Sequence, residues 1–173
     1  GLTVSVSPIM TTAISHANDV GQAANHAARQ DVFNEYQSEK SPRTIKLHHS
    51  DLGTWCEFNA AVTRFVMIAD TKPQEYGFGV LSFTAVDVSE NPQLWHGVTW
   101  GLVSAFKKWL LGEGYAIGSV NRKLSVVKTY ADLAAKAGII DNDEAFQIGR
   151  VRGTSIDHEN DTRTTTRRNA KSA

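Results

Sequence analysis

Ile117-Gly-Ser-Val-Asn-Arg-Lys-Leu-Ser-Val-Val-Lys-Thr-Tyr-Ala-Asp-Leu-Ala-Ala-Lys-Ala-Gly138 is the most regular segment of this 173-residue chain. Ile117, Val120, Leu124, Val127, Ala131 and Ala134 recur at alternating intervals of three and four, the signature of a helix with one buried stripe. Gly138 supplies the stop. At 100° per residue, Asn121, Ser125, Lys128 and Asp132 share a face, with Arg122 and Thr129 on its shoulder. The N-terminal half is therefore expected to present Arg122, Lys123, Ser125 and Lys128 outside the buried stripe. Cations, a hydroxyl and an amide on an exposed helix suit phosphate oxygens and base edges in a major groove; an ordinary solvated face has the same composition.

On the N-terminal side of this segment, helical spacing also runs from Trp95 to Leu111 (Val98, Leu102, Ala105 or Phe106, Trp109), ended by Gly112 and Gly114. Residues 69–96 break the pattern with Pro73, Gly77, Gly79 and Pro92, so a short hairpin or a loop insertion is expected, with Val80 to Val88 as the candidate strand. Ser41-Pro42 reads as a cap followed by a first-turn proline. A helix near 42–68 then carries Ile45, Leu52, Trp55, Phe58, Val62 and Phe65. An Ala-rich helix is expected near 16–39, preceded by a disordered N-terminus over 1–15. On the C-terminal side, Asp141 and Glu144 have the spacing of a capping box for a short helix to about Arg152. Clustered carboxylates there are explained by capping. Residues 153–173 contain almost no apolar side chain and read as a flexible linker. The expected fold class is all-α, a bundle of four or five helices whose apolar faces bury one another.

Composition narrows the function. Hydrophobic residues make up 41% and charged residues 21%, ordinary for a globular chain. No apolar run is long enough for a membrane span, and no signal peptide is visible. The single cysteine, Cys56, excludes an internal disulfide and a cysteine-rich zinc site. The chain thus reads as cytoplasmic. Eighteen basic residues balance eighteen acidic ones. The balance is uneven, however. Residues 97–138 carry net +4 and residues 70–96 net −3, while Arg163, Arg167, Arg168 and Lys171 crowd the last twelve positions without an acid. A local patch matters more to a polyanion than the total does.

His48, His49 and Cys56 offer too few ligands for a structural zinc site, which wants four, so no metal and no cofactor is expected. His26-Ala27-Ala28-Arg29 lies on an Ala-rich helix without flanking apparatus. No phosphate loop, nucleophile elbow or metalloprotease string is present.

Two groups of residues, taken in order, resemble the tyrosine recombinases of the phage-integrase family. Ser41-Pro42-Arg43-Thr44-Ile45, His48-x-x-Asp51-Leu52 and Trp55-x-x-Phe58 are similar to the family's first core helix, Ser-Pro-x-Thr followed by Tyr-x-x-Asp-Leu-x-x-Phe, with His48 where Tyr is frequent. Phe106-x-x-Trp109-Leu110-Leu111-Gly112-x-Gly114 and Ile117 to Lys128 are similar to the segment around Thr-Ile-Asn-Arg-x-Leu-Ser-x-Leu-Arg. Tyr130, Ala134 and Gly138-Ile139-Ile140 continue the match, which covers roughly 30–152. The insertion at 69–96 exceeds the family's usual loop.

The resemblance implies a SAM-like helical core-binding domain over 16–152 that clamps duplex DNA at a recombination site, nucleoid-associated and acting in DNA integration and recombination. DNA contacts are then expected from Arg43, Thr44 and Lys46 at the start of one helix and from Arg122, Lys123, Ser125 and Lys128 on another, since both sets lie at or near helix N-terminal halves, where backbone N–H groups and the helix dipole also favour phosphate. Double-stranded DNA is then the partner, with other recombinase protomers as further candidates, and no membrane or small-molecule substrate. The family's catalytic arginines, histidines and nucleophilic tyrosine belong to a second domain beyond the linker at 153–173. Tyr36, Tyr76, Tyr115 and Tyr130 all fall within the helical part, so none is expected to be that nucleophile. The chain is not expected to be an enzyme by itself. The alternative is a helical protein-interaction module, or an inactive remnant that pairs with full-length recombinases, which an exposed apolar patch on the N-terminal helix would favour.

Overall fold

A computed structural model describes residues 7–63, 65–67, 73–75 and 83–155. Among the described residues six α-helices run in the order α1 (Pro8–Ser38), α2 (Pro42–Thr63), α3 (Ala85–Glu90), α4 (Trp100–Gly112), α5 (Ile117–Lys136) and α6 (Asn142–Gly149). A two-stranded antiparallel hairpin, β1 (Phe65–Met67) with β2 (Pro73–Glu75), follows α2 and pairs Val66 with Gln74. A 3₁₀ turn, Pro92–Trp95, follows α3. The described chain is predominantly helical, as the periodicity predicts.

α5 is the axis of the core. All six positions of its apolar stripe are buried, and α1, α2, α4, α6 and the 3₁₀ turn pack around it. α2 supplies Leu52, Trp55 and Phe58, and α4 supplies Val103, Phe106 and Leu110. Between them sits an aromatic stack. Trp55 lies parallel to Trp95 at 5.8 Å and meets Phe106 edge-on at 5.1 Å. The Trp95 indole N–H donates to the Val88 carbonyl at 2.9 Å, so this large side chain is buried with its polar atom satisfied.

Several boundaries differ from the sequence expectation, each for a local reason. α1 starts at Pro8, so residues 8–15 are helical and not part of a disordered N-terminus. The Ser7 hydroxyl accepts from the Met10 amide at 3.2 Å and Pro8 occupies the first turn. α2 stops at Thr63 and not near 68, because Phe65–Met67 are taken by β1. The expected strand from Val80 to Val88 is replaced, where it is described, by an irregular Phe83–Thr84 and by Ala85–Val88 in α3. Thr84 and Asp87 form a reciprocal capping box that starts α3. The helix expected from Trp95 starts at Trp100, since Gly97 adopts a positive φ of 83° and Thr99 caps the new helix. At α6 the Asp141 side chain makes no capping bond. Glu144 instead accepts from the Trp100 amide at 3.3 Å, capping α4 from across the fold. Residues 1–6, 76–82 and 156–173, which include Tyr76 and most of the expected linker, lie outside the described residues.

Candidate nucleic-acid interface

α2 and α5 pack antiparallel: Asp51 meets Arg122 and Lys123, whereas His48, one turn earlier on α2, meets Tyr130, two turns later on α5. Both helices bury one flank in the same core, so their other flanks open on the same side. That side carries Arg43 and Lys46 from α2, and Arg122 and Ser125 from α5, all exposed.

Arg43 and Lys46 are placed by a cap. The Ser41 hydroxyl accepts from the Thr44 amide at 3.2 Å and donates to the Thr44 hydroxyl at 3.0 Å. Thr44 is thereby half-buried and engaged with Ser41. Eight residues separate Arg43 from Asp51, which places Arg43 about 12 Å along the axis from the Asp51 pairs, or three to four base-pair rises of duplex. The two sets of sequence-predicted contacts are thus strung along one flank and do not converge on a point.

Arg122 and Lys123 share one carboxylate. Asp51 is 1% exposed. Arg122 donates to it from Nε (3.2 and 3.3 Å) and Nη2 (3.1 Å). Lys123 Nζ donates to Asp51 Oδ1 at 3.2 Å and to the Thr54 hydroxyl at 2.9 Å, and lies 5.3 Å from the centre of the Tyr115 ring. Here the expectation fails for Lys123, which is 1% exposed and sits inside the α2–α5 interface. A helical wheel puts it within a few tens of degrees of Val120 and Val127. Asp51 was the missed signal: a carboxylate between Leu52 and the apolar face of α2 requires a buried cation. Arg122 is different. Its side chain remains 43% exposed. One edge of the guanidinium is fixed by Asp51, which leaves its far end for another acceptor. The trio carries net +1.

Lys128 is also engaged within the fold. It is partly buried, donates to the Val151 carbonyl at 2.8 Å, and burial lowers its pKa. Beside it, Asn121 accepts from the Thr154 amide at 2.8 Å and donates to the Thr154 carbonyl at 3.0 Å. A side-chain amide here pairs with the main chain as a neighbouring strand would. Residues 151–154 are thus strapped along α5, and the expected flexible segment does not begin at 153. Sequence reading missed the strap because polar side chains on a helix surface carry no mark of a main-chain partner.

The remaining candidates have structural settings. His48 stacks on Tyr36 at 6.1 Å and meets Tyr130 edge-on at 5.9 Å. Burial lowers its pKa, with nearby Asp51 opposing, so the ring is neutral at neutral pH. His49 shares a hydrogen bond with Ser89 at 3.2 Å. Among the described residues no group of three or more His, Cys, Asp or Glu side chains is arranged to hold a metal ion. His26 bonds to Gln30 on the exposed surface of α1. Tyr130 is fully buried, its hydroxyl accepting from Gln37 at 3.2 Å. No helix among the described residues is long and apolar enough to cross a membrane. Comparison of the chain with family models, with curated proteins and with solved structures finds no match.

Proposed function

We propose that this chain is the SAM-like core-binding module of a tyrosine-type site-specific recombinase, binding double-stranded DNA without performing strand cleavage itself. One observation carries the reading. The two groups of residues that resemble the family lie on α2 and across α4 and α5, and α2 packs on α5 with Arg43, Lys46, Arg122 and Ser125 all exposed. Affinity then comes mainly from phosphate neutralisation. Arg122 is the best-ordered contact, because Asp51 holds its guanidinium before DNA arrives. Lys123 and Lys128 are engaged within the fold and act by holding it. Such a module works in the cytoplasm, on the nucleoid.

Labelled duplex titrated at several salt concentrations tests this. Non-specific Kd should be on the order of 10⁻⁴–10⁻⁶ M at physiological salt. Arg43→Ala with Lys46→Ala should flatten the log–log salt dependence by roughly 2. A double variant with wild-type affinity and slope, or a covalent protein–DNA adduct formed by this chain, would sink the proposal. A second reading, a helical protein-interaction module, is favoured by Ile9, Met10, Ile14 and Val20, which stand exposed on α1.

A further inference from the structure

α1 is docked on the body only by its C-terminal third. Phe33 is its buried residue, with Val32, Tyr36 and Gln37 partly covered. From Pro8 to Gln30 every residue is exposed, including Ile9 (82%), Met10 (58%), Ile14 (61%) and Val20 (61%). Ile9, Ala13, Ala17 and Val20 line one shallow, mostly apolar groove, with Thr12 and His16 at its edge. On a helical wheel these residues, with Ala24, Ala27 and Ala28, fill an arc of about 180°. The centre of that arc lies roughly opposite Phe33, Tyr36 and Gln37. The face therefore points away from the body, and no other described element reaches it.

Three features identify the occupant as a second copy of the same helix. The first is charge. Asp19 is the one Asp, Glu, Lys or Arg between Pro8 and Ala28, and the wheel places it outside the apolar arc. Like meets like in a two-fold interface, and a face without charge meets itself without repulsion. The second is area. Half the surface of a helix about 30 Å long and 10 Å wide is about 500 Å² per copy, or about 1,000 Å² in all, at the lower bound for a specific interface. The third is shape. Bulky residues occupy the N-terminal half of the arc and small ones the C-terminal half. If two copies run antiparallel with their midpoints between Asn18 and Asp19, Ile9 falls level with Ala28, Met10 with Ala27, and Val20 with Ala17. Ala13 then faces Ala24. Ile9, Met10 and Val20 each meet a small side chain, with Ile14 at the rim, whereas parallel pairing sets Ile9 against Ile9 and leaves alanine against alanine.

We propose that the exposed apolar face of α1 is a homodimerisation surface, pairing antiparallel with α1 of a second copy in this register. The two bodies then sit at opposite ends of the helix pair, each on the side away from the seam. Self-pairing does not depend on DNA binding, and the two are tested separately.

Sedimentation equilibrium of the full chain should show a monomer–dimer equilibrium. Val20→Lys should weaken it at least about tenfold. Because Val20 is exposed, the variant should keep its circular dichroism and unfolding midpoint as a monomer. Register is read by cross-linking in a Cys56→Ser background with a short bis-maleimide. Ala13→Cys mixed with Ala24→Cys should cross-link efficiently. Ala13→Cys alone should not, since the two copies of position 13 lie about 16 Å apart along the axis. A chain that stays monomeric at about 100 µM, a dimer indifferent to Val20→Lys, or preferential linkage of Ala24→Cys to itself overturns the proposal. So does a monomer whose α1 becomes protected on neutral lipid vesicles, which would assign the face to a membrane surface.

Discussion

Asp51 ties α2 to α5 from inside their interface. It brings one buried carboxylate into contact with Arg122, Lys123 and, through Lys123, Thr54. Desolvating these groups costs much of what their attraction returns, so the cluster adds less net stability than its bond count suggests. Breaking it is another matter. Asp51→Ala leaves the Lys123 ammonium buried without a counter-charge, and should cost about 3–5 kcal/mol. Arg122→Ala leaves the Asp51–Lys123 pair intact, and its half-exposed partner should matter far less, about 1 kcal/mol. Urea denaturation of both variants checks the ordering, and equal losses would show that Lys123 is not trapped as described. The cluster was half-legible in the sequence. The periodicity of α5 pointed to the burial of its stripe, but a lysine beside that stripe was read by its charge and assigned to solvent. Only Asp51, on another helix, says otherwise, and one-dimensional spacing does not pair residues seventy positions apart. Cys56 is a simpler case. Burial pushes its thiol up to about 11, with Asp87 and Glu57 adding to the effect. The thiolate is the nucleophile, so alkylation at pH 8 should run on the order of a hundredfold slower than that of a free cysteine. The rate should keep climbing about tenfold per pH unit beyond pH 9, where an ordinary thiol levels off. A rate that plateaus near pH 9 would contradict this.

At the scale of elements, the sequence was most informative where one helix has one job. α5 carries a single stripe against a single core and appears within two residues of its expected ends. α2 begins where Ser41-Pro42 says it does. The misses are places where two signals compete. Ser7-Pro8 has the same form as Ser41-Pro42, yet α1 was expected to start later, because the helical spacing reads clearly only from Val20 onward. The β-branched residues from Val80 onward suggested a strand, but Thr84 and Asp87 cap a helix there instead. Glu144 was placed in a local box with Asp141 and instead caps α4. The strap at residues 151–154 is the element most easily tested. Gly153 lies so close to α5 that a Cβ would come within 2.6 Å of the Asn121 side-chain oxygen. Gly153→Ala must therefore displace the Asn121 amide and its two bonds to Thr154. The expected cost is about 1–2 kcal/mol, confined to the strap. Amide exchange at Thr154 should accelerate in Gly153→Ala and in Asn121→Ala alike, while amides in the middle of α5 keep their protection. Unchanged exchange at Thr154 in both variants would mean that the strap is held by Lys128 alone.

As a whole molecule, the chain has two parts of unequal character. The body is cored on α5, with stacked aromatics from three elements and net positive charge along the α2–α5 flank. The N-terminal two-thirds of α1 projects from it, uncharged on one face and without any contact that buries a side chain. A helix of about twenty residues is marginal in water when nothing covers it. Its apolar arc therefore has a thermodynamic consequence that differs between monomer and dimer. In a monomer, residues 8–25 contribute almost nothing, and a chain lacking residues 1–25 should unfold with a stability within about 0.5 kcal/mol of the full chain at low concentration. In a dimer, folded chains are coupled by mass action, so the unfolding midpoint rises with protein concentration. The full chain should accordingly show a higher Tm at 100 µM than at 5 µM, by roughly a few degrees. The shortened chain should show the same Tm at both concentrations. Scanning calorimetry of the two chains at both concentrations separates the contributions. A full chain whose Tm is independent of concentration would leave α1 stable without a partner and return the apolar arc to solvent. A shortened chain with a lowered Tm at 5 µM would show that the projecting turns support the body through contacts beyond those of Phe33, Tyr36 and Gln37.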